Sequence, residues 1–111
     1  MRAVAAWEPS DRVPIVLGVA DTVTVGRRDT DWPGFVWCTD SAGVAGWVPE
    51  ELLATIGTGR AEATENYSAV ELAVRPGSEV VGYQVIAGWR WCVAHDGAEG
   101  WVPEKVLSAA D

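Results

Sequence analysis

Apolar and polar residues alternate in short runs along this chain, and no run sustains a helical period. Trp89 to His95 shows the pattern most clearly: Trp89, Trp91 and Val93 fall on one parity, Arg90, Cys92 and Ala94 on the other. A period of two over six or seven residues predicts a half-buried strand. Glu79–Val85 is β-branched and predicts another strand, with the turn residues Arg75-Pro76-Gly77 before it and Ala87-Gly88 after it. Asp96-Gly97 then suits a tight hairpin, since glycine reaches positive φ without a Cβ penalty. Gly100-Trp101-Val102 follows as a short strand, Pro103-Glu104-Lys105 as a single 3₁₀ turn, and Val106-Leu107 closes the unit. Thr64–Tyr67 is expected to open it.

The same plan is written twice. Gly34-Phe35-Val36-Trp37-Cys38 recurs as Gly88-Trp89-Arg90-Trp91-Cys92, and Gly46-Trp47-Val48-Pro49-Glu50 recurs as Gly100-Trp101-Val102-Pro103-Glu104. Both matches share an offset of 54, and ten of the twenty positions from 34 to 53 equal their partners at 88 to 107, which duplication explains and chance does not. Upstream the offset becomes 57, so the first copy carries about three extra residues, within Arg27 to Pro33. Strands in the first copy are expected near Val4, Ile15–Leu17, Thr22–Arg28, Phe35–Thr39, Gly46–Val48 and Leu52–Thr55. The copies are expected to divide at residues 1–57 and 58–111, with Ile56-Gly57-Thr58-Gly59-Arg60 as a hinge.

Five short strands in about 50 residues are too few for a deep sandwich and are expected to curl into a small barrel. A unit this small is marginal alone, so the seven tryptophans and packing between the copies are expected to supply buried area. Phe35, Trp37, Trp89 and Trp91 read as such packing residues. The predicted fold is all-β: two tandem five-stranded barrels with short 3₁₀ turns.

The order Arg75-Pro76-Gly77-Ser78-Glu79-Val80, Gly88-Trp89-Arg90-Trp91, Gly100-Trp101-Val102-Pro103 resembles an SH3 domain, with Ala63-Thr64-Glu65-Asn66-Tyr67 as a degenerate form of that family's opening stretch. The likeness spans nearly the whole chain as two copies and is nearest to small bacterial tandem ligand-binding SH3 proteins. It implies two SH3-like barrels that bind a protein or peptide. The family's groove tryptophan falls on Arg90 and Val36, and its closing tyrosine on Val106 and Leu52, so ordinary polyproline binding is not expected of either copy. Tyr67, Trp101 and Pro103 carry over, with Trp47 and Pro49 in the first copy.

Eight Lys and Arg against sixteen Asp and Glu give a net charge of −8. That disfavours nucleic acid, whose binding rests on cationic contacts to phosphate, and favours a basic partner. No apolar run is long enough for a membrane span; Ile15–Ala20 is also too short for a secretion signal, so a cytoplasmic place with free thiols is expected. One His and two Cys cannot fill a four-ligand zinc site, and no cofactor motif is present. His95 has no counterpart in the first copy, where Ser41 stands, and reads as a solvated turn residue rather than a base for Cys92. The carboxylate pairs read as solvated surface.

The expectation is therefore a monomeric, non-enzymatic binding or adaptor module. Its candidate contact residues are Trp32, in the inserted loop, and Trp47, Pro49, Tyr67, Trp101 and Pro103. Two alternatives stand beside it: an aromatic cage for a small cation near Asp29 or Asp31, and cell-wall binding.

Overall fold

The computed structural model describes residues 1–10 and 13–109, and it is all-β apart from two 3₁₀ turns. Its strands, in chain order, are β1 Arg2–Ala3, β2 Val16–Leu17, β3 Thr22–Arg28, β4 Phe35–Asp40, β5 Ala45–Pro49, β6 Leu53–Gly57, β7 Arg60–Ala63, β8 Tyr67–Ser68, β9 Val80–Ile86, β10 Trp89–Ala94, β11 Glu99–Pro103 and β12 Leu107–Ser108. The 3₁₀ turns are Glu50–Leu52 and Glu104–Val106, each entered through the proline of a Gly-Trp-Val-Pro repeat. That proline has no N–H to lose at the start of a turn, and its φ of −58° suits the entry.

The chain divides into two compact units, but not at residue 57. One, the continuous unit, is Arg12–Ala69; the other, the split unit, is Met1–Asp11 together with Val70–Asp111. The residues read as a hinge instead lie in the β6–β7 hairpin, where Gly57 pairs with Arg60 and Gly59 takes a φ of +68°. β7 stays in the continuous unit, pairing with β6 (Leu53↔Ala63) and with β3 (Val23↔Ala61). β1 does the equivalent work in the split unit, pairing with β12 (Ala3↔Leu107). Trp7 bridges Val74 as Tyr67 faces Leu17 in the β2–β8 pair.

A third offset follows from these pairings. Ala3 and Ala63, and likewise Trp7 and Tyr67, stand 60 residues apart in matching places. Each copy's opening segment therefore completes the sheet of the other copy. The buried set repeats accordingly: Ala3, Leu72, Val74, Val80, Cys92, Val102 and Val106 in the split unit answer Ala63, Ile15, Leu17, Val23, Cys38, Val48 and Leu52 in the continuous one. The same seven positions fill both interiors, so one packing solution serves twice.

The sheets are open. The continuous unit holds a five-stranded sheet ordered β5-β4-β3-β7-β6 and the two-stranded β2–β8; the split unit holds a three-stranded sheet, β11-β10-β9, and the pair β1–β12. Closed five-stranded barrels were expected, and neither unit closes its hydrogen-bonded ladder. Bulges and very short strands interrupt the pairing: β3 and β4 shift register between Val25 and Arg28, and β9 and β10 between Arg90 and Cys92.

Candidate binding surface

The two central hairpins place a pair of indoles in register on the face opposite the core. On β4–β5, Trp37 lies directly across from Trp47; on β10–β11, Trp91 lies across from Trp101. Cys38 and Val48, and their counterparts Cys92 and Val102, point inward on the other parity and are buried. Trp37 and Trp91, expected from sequence to pack in a core or between the copies, therefore lie on the face opposite the core of their own hairpin and are half-buried. The rings of Trp37 and Trp47 meet edge to face at 5.0 Å and 73°, those of Trp91 and Trp101 at 5.2 Å and 78°. This is the arrangement favoured by the ring quadrupole.

A bulge completes the first pair. Gly26 and Arg27 together oppose Trp37, because the β3–β4 register runs from Val25↔Cys38 to Arg28↔Val36. The extra residue aims Arg27 at the indoles, and its guanidinium carbon lies 5.7 Å from the Trp37 ring centroid and 5.2 Å from that of Trp47. Both distances are within cation–π range. Tyr83 and Gln84 hold the equivalent bulge opposite Trp91.

Beside each pair lies an Arg–Glu contact built from opposite strands. Arg28 on β3 donates to Glu50 at 2.8 Å and to the Pro33 carbonyl at 2.7 Å. In the split unit, Arg90 on β10 donates to Glu104 at 2.9 and 3.3 Å and to the Tyr83 carbonyl at 2.7 Å. Arg28 faces Val36 across the ladder, whereas Arg90 faces Val85, so arginine and valine have traded strands while the glutamate stays fixed. The hydrogen bond from Arg28 holds the Glu50 carboxyl below its ordinary range and raises Arg28 in turn. Both groups are exposed, so the pair orients side chains more than it stabilises the fold.

The expected contact residues fare unequally. Pro49 and Pro103 are fully buried beside the 3₁₀ turns. Tyr67 keeps 8 % of its surface and lies 3.4 Å, through its hydroxyl, from the Trp47 carbonyl oxygen. Trp101 keeps 6 %, because the segment after Val70 runs alongside β11: Trp101 N–H donates to the Val70 carbonyl at 2.9 Å and Leu72 N–H to the Trp101 carbonyl at 3.1 Å. Pro49, Pro103, Tyr67 and Trp101 are thus packing residues first, a correction to the exposed aromatic rim read from sequence.

Trp47 and Trp32 are half-buried. The Trp32 loop is ordered by Asp29, whose Oδ1 accepts the backbone N–H groups of Asp31 at 2.9 Å and Trp32 at 3.3 Å. Phe35 N–H closes the loop on the Trp32 carbonyl at 2.9 Å. Asp29 therefore organises its own loop, which weakens its candidacy as a cage carboxylate.

Arg27, Trp37 and Trp91 are the residues that sequence reasoning missed. The identical offset of Trp37/Trp91 and Trp47/Trp101 was a usable signal, since facing strands with tryptophan at matched positions make a pair on one face. The position of Arg27 depends on a bulge that no local pattern announces.

Both cysteines are free thiols. Burial pushes Cys38 up to about 11, and burial also raises Cys92 against the opposing pull of Arg90. Neither is poised as a nucleophile, which needs a depressed thiol pKa. The sign of the pH dependence follows. Below about pH 8.5 the thiols stay protonated, folded or unfolded, and contribute no slope. Above it the unfolded chain ionises first, so stability falls as pH rises toward 11 and the folded Cys38 finally loses its proton. Urea titrations between pH 8 and 11 should show a decline that Cys38→Ala makes shallower by up to about 1.4 kcal/mol per pH unit. An equal slope in that variant would remove Cys38 as the cause.

Among the described residues no group of three His, Cys, Asp or Glu could hold a metal ion, and no helix is long and apolar enough to cross a membrane. Compared with family models, curated proteins and solved structures, the chain matches none.

Proposed function

We propose that this chain is a non-enzymatic binding module of two SH3-like units, working in the cytoplasm, that grips a basic protein or peptide segment through the half-buried Trp37–Trp47 pair. The carrying observation is the Trp37–Trp47 pair with Arg27 over both rings. The chain seats one of its own guanidinium groups on an aromatic surface that the duplication repeats at Trp91–Trp101. A surface that holds an internal arginine is chemically suited to an arginine or lysine from a partner. The net charge of −8 draws basic segments toward it and speeds encounter more than it deepens affinity.

On this reading Arg27 competes with the ligand. Arginine-rich peptides, added stepwise, should shift the indole N–H resonances of Trp37 and Trp47 to saturation. Arg27→Ala should tighten binding several-fold, and Trp47→Ala should abolish it. Acidic peptides should do nothing. If only proline-rich peptides perturb the protein, around Tyr67 and Trp101, the polyproline mode replaces this one. Saturation by tetramethylammonium alone, with the same dependence on Trp47, would favour the second reading, a small-cation cage.

A further inference from the structure

We propose that the cation taken by the Trp37–Trp47 pair is N-methylated: a basic side chain of a protein or peptide whose nitrogen carries methyl groups in place of hydrogens. The inference rests on the binding reading above and names the chemistry of its ligand. Arg27 and its neighbour Arg28 show the distinction within one strand. Arg28 aims its N–H groups at acceptors, a Glu50 carboxylate oxygen at 2.8 Å and the Pro33 carbonyl at 2.7 Å. Arg90 does the same in the split unit, with Glu104 at 2.9 Å and the Tyr83 carbonyl at 2.7 Å. No hydrogen bond or ion pair joins the Arg27 guanidinium to any described residue. What it meets is aromatic, the Trp37 and Trp47 rings at 5.7 and 5.2 Å.

The corner thus offers charge attraction and apolar contact but, among the described residues, no acceptor that takes up an N–H of the cation seated there. An unmethylated guanidinium or ammonium brings several donors. Each donor turned toward the rings gives up water and gains no partner. Methyl groups remove those donors and keep the positive charge. They also touch the rings directly, which adds apolar burial and dispersion to the attraction between cation and ring quadrupole.

Shape agrees with this chemistry. The two indoles stand at 73° with centroids 5.0 Å apart, a corner rather than a flat stack, and a corner meets a rounded methylated head on two sides. Arg27 is also easily replaced. It has no acceptor to leave behind, so a methylated cation displaces it into water without breaking a hydrogen bond to a described residue. The property belongs to the continuous unit. In the split unit the bulge opposite Trp91 carries the uncharged Tyr83 and Gln84, and Trp101 keeps 6 % of its surface.

Peptides of one sequence test it on the unaltered protein. They differ at a single central residue: arginine, asymmetric dimethylarginine, lysine or trimethyllysine. Followed at the indole N–H resonances of Trp37 and Trp47, each methylated form should bind about tenfold more tightly than its unmethylated parent. A further peptide carries a neutral tert-butyl head with the shape of trimethyllysine. It should bind about tenfold more weakly than trimethyllysine, which separates attraction between cation and ring from burial alone. Free tetramethylammonium should need at least about tenfold higher concentration than the trimethyllysine peptide, because it lacks the flanking chain. Unmethylated peptides that bind as tightly as methylated ones overturn this inference and leave the binding reading standing. A neutral head as good as the cation overturns it too. Tetramethylammonium as tight as the peptide would make a free small cation the ligand and overturn the peptide-borne assignment. No indole shift with any of the peptides overturns both the inference and the reading beneath it.

Discussion

Glutamate in place of Ala3 is expected to expose Cys92 to thiol reagents and to leave Cys38 protected; glutamate in place of Ala63 is expected to do the reverse. Each alanine is buried against its own interior, with Leu72, Val80 and Cys92 around Ala3 and with β3 and β6 on either side of Ala63. A carboxylate there must give up water without a partner, which costs several kcal/mol and is enough to open a unit of this size. The chain carries one buried cysteine per unit, so alkylation followed by mass spectrometry reads the two units separately. The result discriminates sharply, because a division at residue 57 would place Ala3 with Cys38. Exposure of Cys38 by Ala3→Glu would return each opening strand to its own copy and end the exchanged arrangement.

That exchange marks where the sequence stops being legible. Turn residues and a period of two locate nearly every strand: the expected Thr22–Arg28 is β3, and the Pro-Glu pairs open the 3₁₀ turns as anticipated. These are local signals. The partner of an opening strand is set by contacts far along the chain, and the two candidates offer nearly the same chemistry, Ala3 with Trp7 against Ala63 with Tyr67. Pattern alone cannot choose between them. Gly57 and Gly59 add to the difficulty, since a glycine-bounded join reads equally as a hinge or as a hairpin.

The inward face was misread for a related reason. Tryptophan is the most apolar bulk on β4 and β10, so hydrophobicity assigns it to the core. The small thiols of Cys38 and Cys92 take that place instead, packed with Val48 and Val102. The large rings lie on the outer face, where an edge-to-face contact with the neighbouring strand covers part of each. The candidate surface was thus half legible: the tandem tryptophans were visible, the bulge that brings Arg27 over them was not.

The glycine of the repeated Gly-Trp-Val-Pro-Glu stretch makes the second strong test. Gly100→Ala should cost about 3 kcal/mol, at the upper end of overpacking effects. A Cβ at residue 100 would sit 2.7 Å from the Glu71 carbonyl carbon and 2.8 Å from the Leu72 nitrogen. Both are backbone atoms, held in place by the hydrogen bonds that tie Trp101 to Val70 and Leu72. They cannot swing aside, so the added methyl must push the segment off β11. At the matching Gly46 the obstacle is the Cγ2 of Ile15, at 2.9 Å, a fully buried side chain with little freedom, and the cost should be smaller, about 1–2 kcal/mol. Gly82 is the control. Its Cβ would fall even closer, 2.6 Å from the Arg90 Cδ and the Met1 Sδ, yet both are side-chain rather than backbone atoms: the Met1 thioether can turn away, and the Arg90 stem can shift by a torsion while its guanidinium stays on Glu104 and the Tyr83 carbonyl. Gly82→Ala should therefore cost under about 1 kcal/mol despite the shorter distance. Urea midpoints of the three variants should rank Gly100→Ala as the least stable and Gly82→Ala as the most. Faster exchange at the Leu72 and Trp101 amides in Gly100→Ala alone would locate the damage. A Gly82→Ala variant as unstable as Gly100→Ala would mean that distance, rather than the stiffness of the obstructing atoms, sets the cost, and the close approach of residues 70–72 to β11 would no longer explain why glycine stands at residue 100.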